Sequence, residues 1–284
     1  MLTVLEVIKK TTGFFADRGI DNPRLNAELL IGHALGLKRM QLYLKFEQPL
    51  TEVELEKIRP LVRRRGAHEP VQYIVGETEF FGMKLKTDRR ALIPRPETER
   101  LLEIVVTCLA ASPPARVLDL GTGSGAIALG LAMTFPSALV TAVDQSEGAL
   151  ALAGENAVAL GLADRVKFLR SDWFSVLPAG GFFELIVANP PYLSAEETAQ
   201  AAPEVREFEP ATALTAAGQG LDDLKKILAD APRFLAPGGL LALETGISQH
   251  ADLLQLAAAA GLTQVESLTD LTGRDRYVLA VARK

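Results

Sequence analysis

The chain has 284 residues, 48% of them apolar and 23% charged with both signs interspersed, and its net charge is -5. That composition describes a soluble globular protein of two domains, and its acidic balance excludes a protein that grips long nucleic acid by neutralising phosphates. Its one cysteine, Cys108, excludes an intramolecular disulfide and a cysteine metal cluster and fits a reducing cytoplasm. No uninterrupted apolar run approaches the roughly 18 residues of a membrane span. The opening stretch, MLTVLEVIKKTTGFFADRGI, has no long apolar core and no small-residue cleavage site, so no secretory leader is expected.

From Leu2 to about Arg65 apolar residues recur at three- and four-residue spacing, as in Val4, Ile8 and Phe15, or Leu55, Ile58, Leu61 and Val62. Glycines and prolines punctuate the pattern, and Asp21 or Asn22 before Pro23 marks a helix start. Residues 1–74 therefore read as a small helical bundle, and its basic run, RPLVRRRG, as a solvated helix face. The text then changes to VGETEFFGMKLKT, where Phe80, Met83 and Leu85 flank a glycine and alternate with charges. A β-hairpin linking two domains, within residues 75–90, accounts for it. The prolines of ALIPRPETER defer the next helix to Glu97, from which it runs to about Ala111.

Beyond Pro113-Pro114, residues 91–284 forming one domain, strands and helices alternate as they do around a parallel sheet. The strands expected are Arg116 to Leu120, Leu139 to Val143, Val166 to Leu169, Leu185 to Ala188, Leu240 to Glu244, Thr263 to Ser267 and Tyr277 to Ala282. Helices are expected over Ala126 to Met133, Glu147 to Leu160, Leu221 to Leu235 and Gln249 to Ala259.

The first strand ends in DLGTGSGAIAL, in which Gly121, Thr122, Gly123, Ser124 and Gly125 lead into a helix. Glycines let backbone approach a ligand, and a helix N-terminus offers unpaired N–H groups, so a nucleotide-like cofactor belongs there. The spacing also satisfies the dinucleotide-binding pattern, and Asp144, about 20 residues on, suits a ribose under either reading. After the third strand, Asp172 and Trp173 offer an acid and a ring to an adenine, or Trp173 is ordinary core.

The fourth strand closes with Asn189, Pro190, Pro191 and Tyr192. Neither proline has an N–H, so carbonyls there face a guest without a competing local donor. A planar –NH2 entering this corner meets acceptors for both hydrogens in the Asn189 side-chain oxygen and the Pro190 carbonyl, which turns its lone pair toward an electrophile in the glycine-loop site. Hydride transfer has no use for that arrangement; alkylation of a planar nitrogen does. Asn189 is no base, because a carboxamide takes up no proton near neutral pH.

These motifs resemble class I S-adenosylmethionine-dependent methyltransferases. EPVQYIVGETEFFGMKL, LIPRPETE and the tail LTGRDRYVLA resemble more narrowly the release factor glutamine methyltransferases, the PrmC/HemK family, over nearly the whole chain. The resemblance implies an α/β fold, with a Rossmann-like seven-stranded methyltransferase sheet and the small N-terminal bundle, joined by the hairpin, as the substrate-recognition domain. It implies S-adenosylmethionine as cofactor, with Gly121 to Gly125 around its methionine part, Asp144 on the ribose, Asp172 and Trp173 flanking the adenine, and Asn189 nearby. Asn189 and Pro190 would act on the substrate nitrogen, and Asn189 to Tyr192 would hold the glutamine of the Gly-Gly-Gln loop of class I peptide chain release factors. No metal is expected, direct DNA binding is not expected, and the default assembly is a monomer. PRPETE resembles a segment closing over the cofactor, though Arg95 or Glu97 also suits a helix-start ion pair. Two rivals stand beside this reading. One is an N6-adenine methyltransferase, which would need a flipped base and a basic groove. The other is a non-catalytic module docking on a translation factor.

Overall fold

Helices Val4–Ala16, Pro23–Leu35, Arg39–Leu44, Glu52–Gly66 and Val71–Val75 account for the first 75 residues of the computed structural model, which describes residues 1–180 and 182–284. Two of them start where a hydroxyl and an acid close a capping box. Thr3 and Glu6 exchange bonds at the first, Thr51 and Glu54 at the fourth, each satisfying two amides that a helix start leaves over. Pro23 starts the second, behind Asn22, which caps with a left-handed backbone and no side-chain bond. Val4, Ile8, Ile31, Leu42, Leu50 and Ile58 pack into one cluster between them.

The chain divides into two units, Met1–Glu77 with Ala202–Phe208, and Thr78–Ala201 with Glu209–Lys284. Residues 202–208, which the sequence leaves within the larger domain, thus group with the helices. Their attachment also changes the reading of the basic run. Arg63 and Arg64 are exposed, but Arg65 is buried, donating to Asn26 Oδ1 (2.8 Å), the Glu69 carbonyl (3.1 Å) and Glu204 Oε2 (3.1 Å).

β1 (Glu77–Phe80), all but its first residue in the larger unit, and β2 (Met83–Lys86) form the hairpin. Its turn places Phe81 at φ 49° and Gly82 at φ 71°, the left-handed pair that matches the twist of a tight hairpin. The hairpin starts later than Val75, which instead ends a short helix. The helix expected from Glu97 begins one residue earlier, as Pro96–Leu109, because the first position of a helix needs no N–H.

The central sheet contains β3 (Arg116–Leu120), β4 (Leu139–Asp144), β5 (Val166–Arg170), β6 (Phe183–Ala188), β7 (Leu235–Glu244), β8 (Thr263–Thr269) and β9 (Asp275–Val281), ordered β5-β4-β3-β6-β7-β9-β8. β9 runs antiparallel to both its neighbours, and the remaining pairs are parallel. Alternate residues feed two cores. Val117, Leu185 and Val187 pack on one face with Leu101, Leu102 and Val105, while Leu118, Leu120, Ile186 and Ala188 pack on the other with Leu224, Ile227 and Leu228. Both faces being covered, the strands read as unbroken apolar runs. The helix expected over Leu221 to Leu235 stops at Asp230 and yields to a 3-10 turn, Ala231–Arg233, since Pro232 cannot continue the ladder; Leu235 already belongs to β7.

β4 and β6 lie on opposite sides of β3, so strand order reverses at β3. The crevice beyond the carboxyl ends of these strands is where open α/β sheets bind ligands.

Candidate active site at the carboxyl edge of the sheet

A cavity of about 370 Å³ opens at that crevice. Its wall takes Gly121, Thr122, Gly123 and Ser124 from the loop after β3, Asp144 from β4, Asp172 and Trp173 from beyond β5, and Asn189 and Pro191 from beyond β6. Arg90 to Leu92, Pro94, Arg95 and Thr98 complete one side, and Pro210, Thr212, Ala213 and Thr215 another.

The glycine loop is held from below. Gly121 and Thr122 donate to the Val143 carbonyl at 2.8 and 2.9 Å, and Gly123 donates to Asp144 Oδ2 at 2.9 Å. Asp119, fully buried under the loop, accepts from the Thr122 hydroxyl (2.7 Å) and the Ala128 amide (3.2 Å). Burial pushes the Asp119 carboxyl up to about 7, against the pull of those two donors. Gly121 and Gly125 have different tasks. A Cβ on Gly121 would lie 3.4 Å from Trp173 Cζ3, so its absence lets the indole close on the loop. A Cβ on Gly125 would lie 3.1 Å from both Ala153 Cβ and Leu129 Cδ1, inside the helix packing. Gly125 is not among the residues of the cavity wall.

Asp144 is half-buried, its second oxygen accepting from the Ser146 amide at 2.9 Å, and burial raises its pKa. Asp172 is exposed at the cavity mouth. Trp173 joins the two roles the sequence leaves open. Its ring packs against the Leu118-side core and also lines the cavity, its Nε1 donates to Asp223 Oδ1 at 3.2 Å, and its backbone stands at φ 45°. A bulky residue in that region is strained, and such strain concentrates at functional sites.

Behind Asn189 lies a hydrogen-bonded chain that sequence reasoning misses. Asn189 Nδ2 donates to Thr98 Oγ1 (2.9 Å), the Thr98 hydroxyl donates to Glu244 Oε2 (2.7 Å), and the Tyr192 hydroxyl donates to Glu244 Oε1 (3.1 Å). Glu244 is buried at the end of β7, and desolvation pushes its carboxyl up to about 7, while Thr98, Tyr192 and Arg276 favour the charged form. Arg276 lies 5.6 Å from the centre of the Tyr192 ring and donates to the Thr245 carbonyl at 3.0 Å. The expected Asn-Pro-Pro-Tyr corner is therefore only partly on the cavity wall. Asn189 and Pro191 line it; Pro190 is buried, and the Tyr192 hydroxyl donates inward to Glu244. A signal for Glu244 exists, since like Asp144 it is an acid ending an apolar strand.

Arg95 and Glu97 do not pair with each other. Arg95 binds Glu209, which also accepts from the Ile93 amide at 3.2 Å, and the Glu97 carboxylate lies 4.0 Å from Arg274. Among the described residues no cluster of His, Cys, Asp and Glu is arranged to hold a metal ion, and no helix is long and apolar enough to cross a membrane.

Two family models match: the PrmC N-terminal domain over residues 6–76, and the methyltransferase small domain over residues 101–221. The release factor glutamine methyltransferase of Chlorobaculum tepidum is 44% identical, covering 99% of this chain and 98% of that one. Its counterpart from Cereibacter sphaeroides is also 44% identical, covering 93% of each. Among solved structures the fold is similar to the T. thermophilus 16S rRNA N2 G1207 methyltransferase in complex with AdoMet and guanosine, with TM-score 0.54 and 21% identity over 73% of this chain and 50% of that one. It is also similar to the hMettl16 catalytic domain in complex with an RNA hairpin, with TM-score 0.57 and 19% identity over 72% and 77%. These two are likenesses of fold.

Proposed function

Because the chain belongs to the release factor glutamine methyltransferase family, we propose that it methylates the side-chain amide nitrogen of the glutamine in the Gly-Gly-Gln loop of class I peptide chain release factors. Translation termination in the cytoplasm is the process it would modulate. The observation that carries this reading is the tether from Asn189 Nδ2 to Thr98, which leaves the Asn189 carbonyl oxygen as the group offered to a guest.

The residues present fit S-adenosylmethionine as methyl donor. The cavity has the size of a small-molecule site, the loop bears no side chain at Gly121 where one would press on Trp173, and Asp144 and Asp172 supply acceptors for hydroxyl and amino groups. Gly121 to Ser124 would hold the methionine part, Asp144 the ribose, and Asp172 with Trp173 the adenine. When bound, this cofactor supplies an electrophilic methyl on a sulfonium.

An amide nitrogen is a weak nucleophile, its lone pair being delocalised, so the protein's contribution is position and charge. Asn189 Oδ1 and the Pro190 carbonyl would accept the two hydrogens of the substrate amide and hold its nitrogen in line with the methyl, an arrangement worth orders of magnitude in rate. Pro191 would wall the nitrogen off from water. Tyr192, engaged by Glu244, braces the turn that presents these acceptors. The ion pair of Arg95 with Glu209 would hold PRPETE over the cofactor. The helical unit, whose five helices supply none of the cavity wall, would recognise the factor, and the enzyme would act as a monomer.

Methyl-labelled S-adenosylmethionine, incubated separately with a release factor, its Gly-Gly-Gln to Gly-Gly-Ala variant and duplex DNA, tests the reading. Label in the wild-type factor alone is expected. Label in DNA would replace it with adenine methylation, and label in none would leave a binding module.

A further inference from the structure

A carboxamide has two ends of similar shape and opposite hydrogen-bonding sense. For Asn189 to accept from a substrate –NH2 its oxygen must face the cavity, and something must prevent the half-turn that would present its own –NH2 instead. Steric fit cannot discriminate between the ends, because oxygen and NH2 are nearly the same size. Proton counting can.

The Thr98 hydroxyl carries one hydrogen, and the Glu244 carboxylate, 2.7 Å away, takes it. Thr98 then has only lone pairs to turn toward Asn189, 2.9 Å away on its other side, and a lone pair is satisfied by the Asn189 NH2 and not by its oxygen. The second oxygen of Glu244 is held by Tyr192, two residues beyond Pro190, so one buried carboxylate fixes both ends of the acceptor turn. Resting on the function proposed above, we propose that Thr98 and Glu244 are positioning residues. Through the direction of the Thr98 hydroxyl, Glu244 sets the Asn189 carboxamide with its oxygen toward the substrate amide.

The device works while Glu244 is ionised. A Glu244 protonated on Oε2 donates to Thr98, which then donates to Asn189 and favours the reversed carboxamide. Arg276 on β9, with the Tyr192 and Thr98 hydroxyls, favours the ionised form; burial and Glu97, on the helix that carries Thr98, oppose it. Tyr277, the register partner of Glu244 on β9, gives its hydroxyl hydrogen to the Glu97 carbonyl.

The test compares Thr98→Val, which keeps the shape and removes the hydroxyl, with Thr98→Ser, which restores it. In the first, kcat for release factor methylation should fall roughly 100-fold, as for a nucleophile held out of line, with the affinity for S-adenosylmethionine unchanged; Thr98→Ser should recover most of it. A second readout needs no turnover. The Asn189 side-chain amide resonances should shift and exchange faster with water in Thr98→Val and keep their wild-type values in Thr98→Ser. Should Thr98→Val fail to fold, the wild-type protein carries the same test, since those resonances should move as the pH falls through about 7. Resonances indifferent to both the substitution and the pH overturn the proposal, as does wild-type kcat in Thr98→Val. Resonances that respond in a protein that labels no release factor defeat the proposed substrate and leave the positioning intact.

Discussion

Alanine at Gly125 and at Gly123 separates two reasons for glycine in one loop. Both positions have left-handed backbones, φ 86° and 57°, so either substitution carries about 1–2 kcal/mol of backbone strain. At Gly123 the nearest atom to a new Cβ is Ala91 Cβ at 3.9 Å, an ordinary contact, and nothing further is added. At Gly125 the new Cβ lies 3.1 Å from Ala153 Cβ and from Leu129 Cδ1, and one of these is a short side chain fixed on its helix. Overpacking of this kind adds about 1–3 kcal/mol, so Gly125→Ala should lose roughly 2–5 kcal/mol where Gly123→Ala loses about 1–2. Trp173, the chain's one tryptophan, lies in this unit, and its fluorescence during urea unfolding reads that stability directly. Equal losses at the two positions would refute the assignment of Gly125 to helix packing.

Asn189→Ala should cut kcat by roughly 100-fold or more while leaving the dissociation constant for S-adenosylmethionine close to wild type, because it removes an acceptor that orients the nucleophile; full turnover would refute the corner. The carboxyls of Asp119 and Glu244 are both raised by burial to about 7, so the folded state holds protons that the unfolded chain releases. The contribution of these two groups to stability should therefore fall as pH rises from about 4 to about 7 and level off above, and in urea titrations Asp119→Asn should make the slope of stability against pH over that range less negative than in the wild type; an unchanged slope would remove Asp119 from the account. Deleting residues 1–68 should abolish methylation of an intact release factor, and unchanged labelling by the truncated enzyme would show that the helical unit does not recognise it.

What the sequence makes legible is what adjacent residues determine. Gly121, Asp144 and Asn189 stand at strand ends, and in an open α/β fold the carboxyl end of a strand is itself an address, since it assigns a side chain to the ligand-binding edge from local sequence alone. The Thr98–Glu244 link is hidden because its members lie 146 residues apart, and Thr98 in PRPETE looks like any polar residue in a first helical turn. The partner of Tyr192 is hidden for a related reason, since an aromatic after two prolines is free to face either way until a buried carboxylate claims its hydroxyl. Trp173 is ambiguous in sequence because its side chain serves both the core and the cavity. Boundaries drift at Pro96 and Pro232, where proline's effect depends on which helical position it occupies.

The burial of Arg65 bears on the order in which the chain acquires structure during synthesis. Its neutralising partner, Glu204, is made last among the groups around it. At 5–20 residues per second the ribosome needs on the order of ten seconds to travel from the end of the helices to Glu204. Through that interval a guanidinium destined for the interior lacks its countercharge, so the N-terminal helices emerge first yet finish late. The protein's first domain in sequence is completed only by a piece of its second.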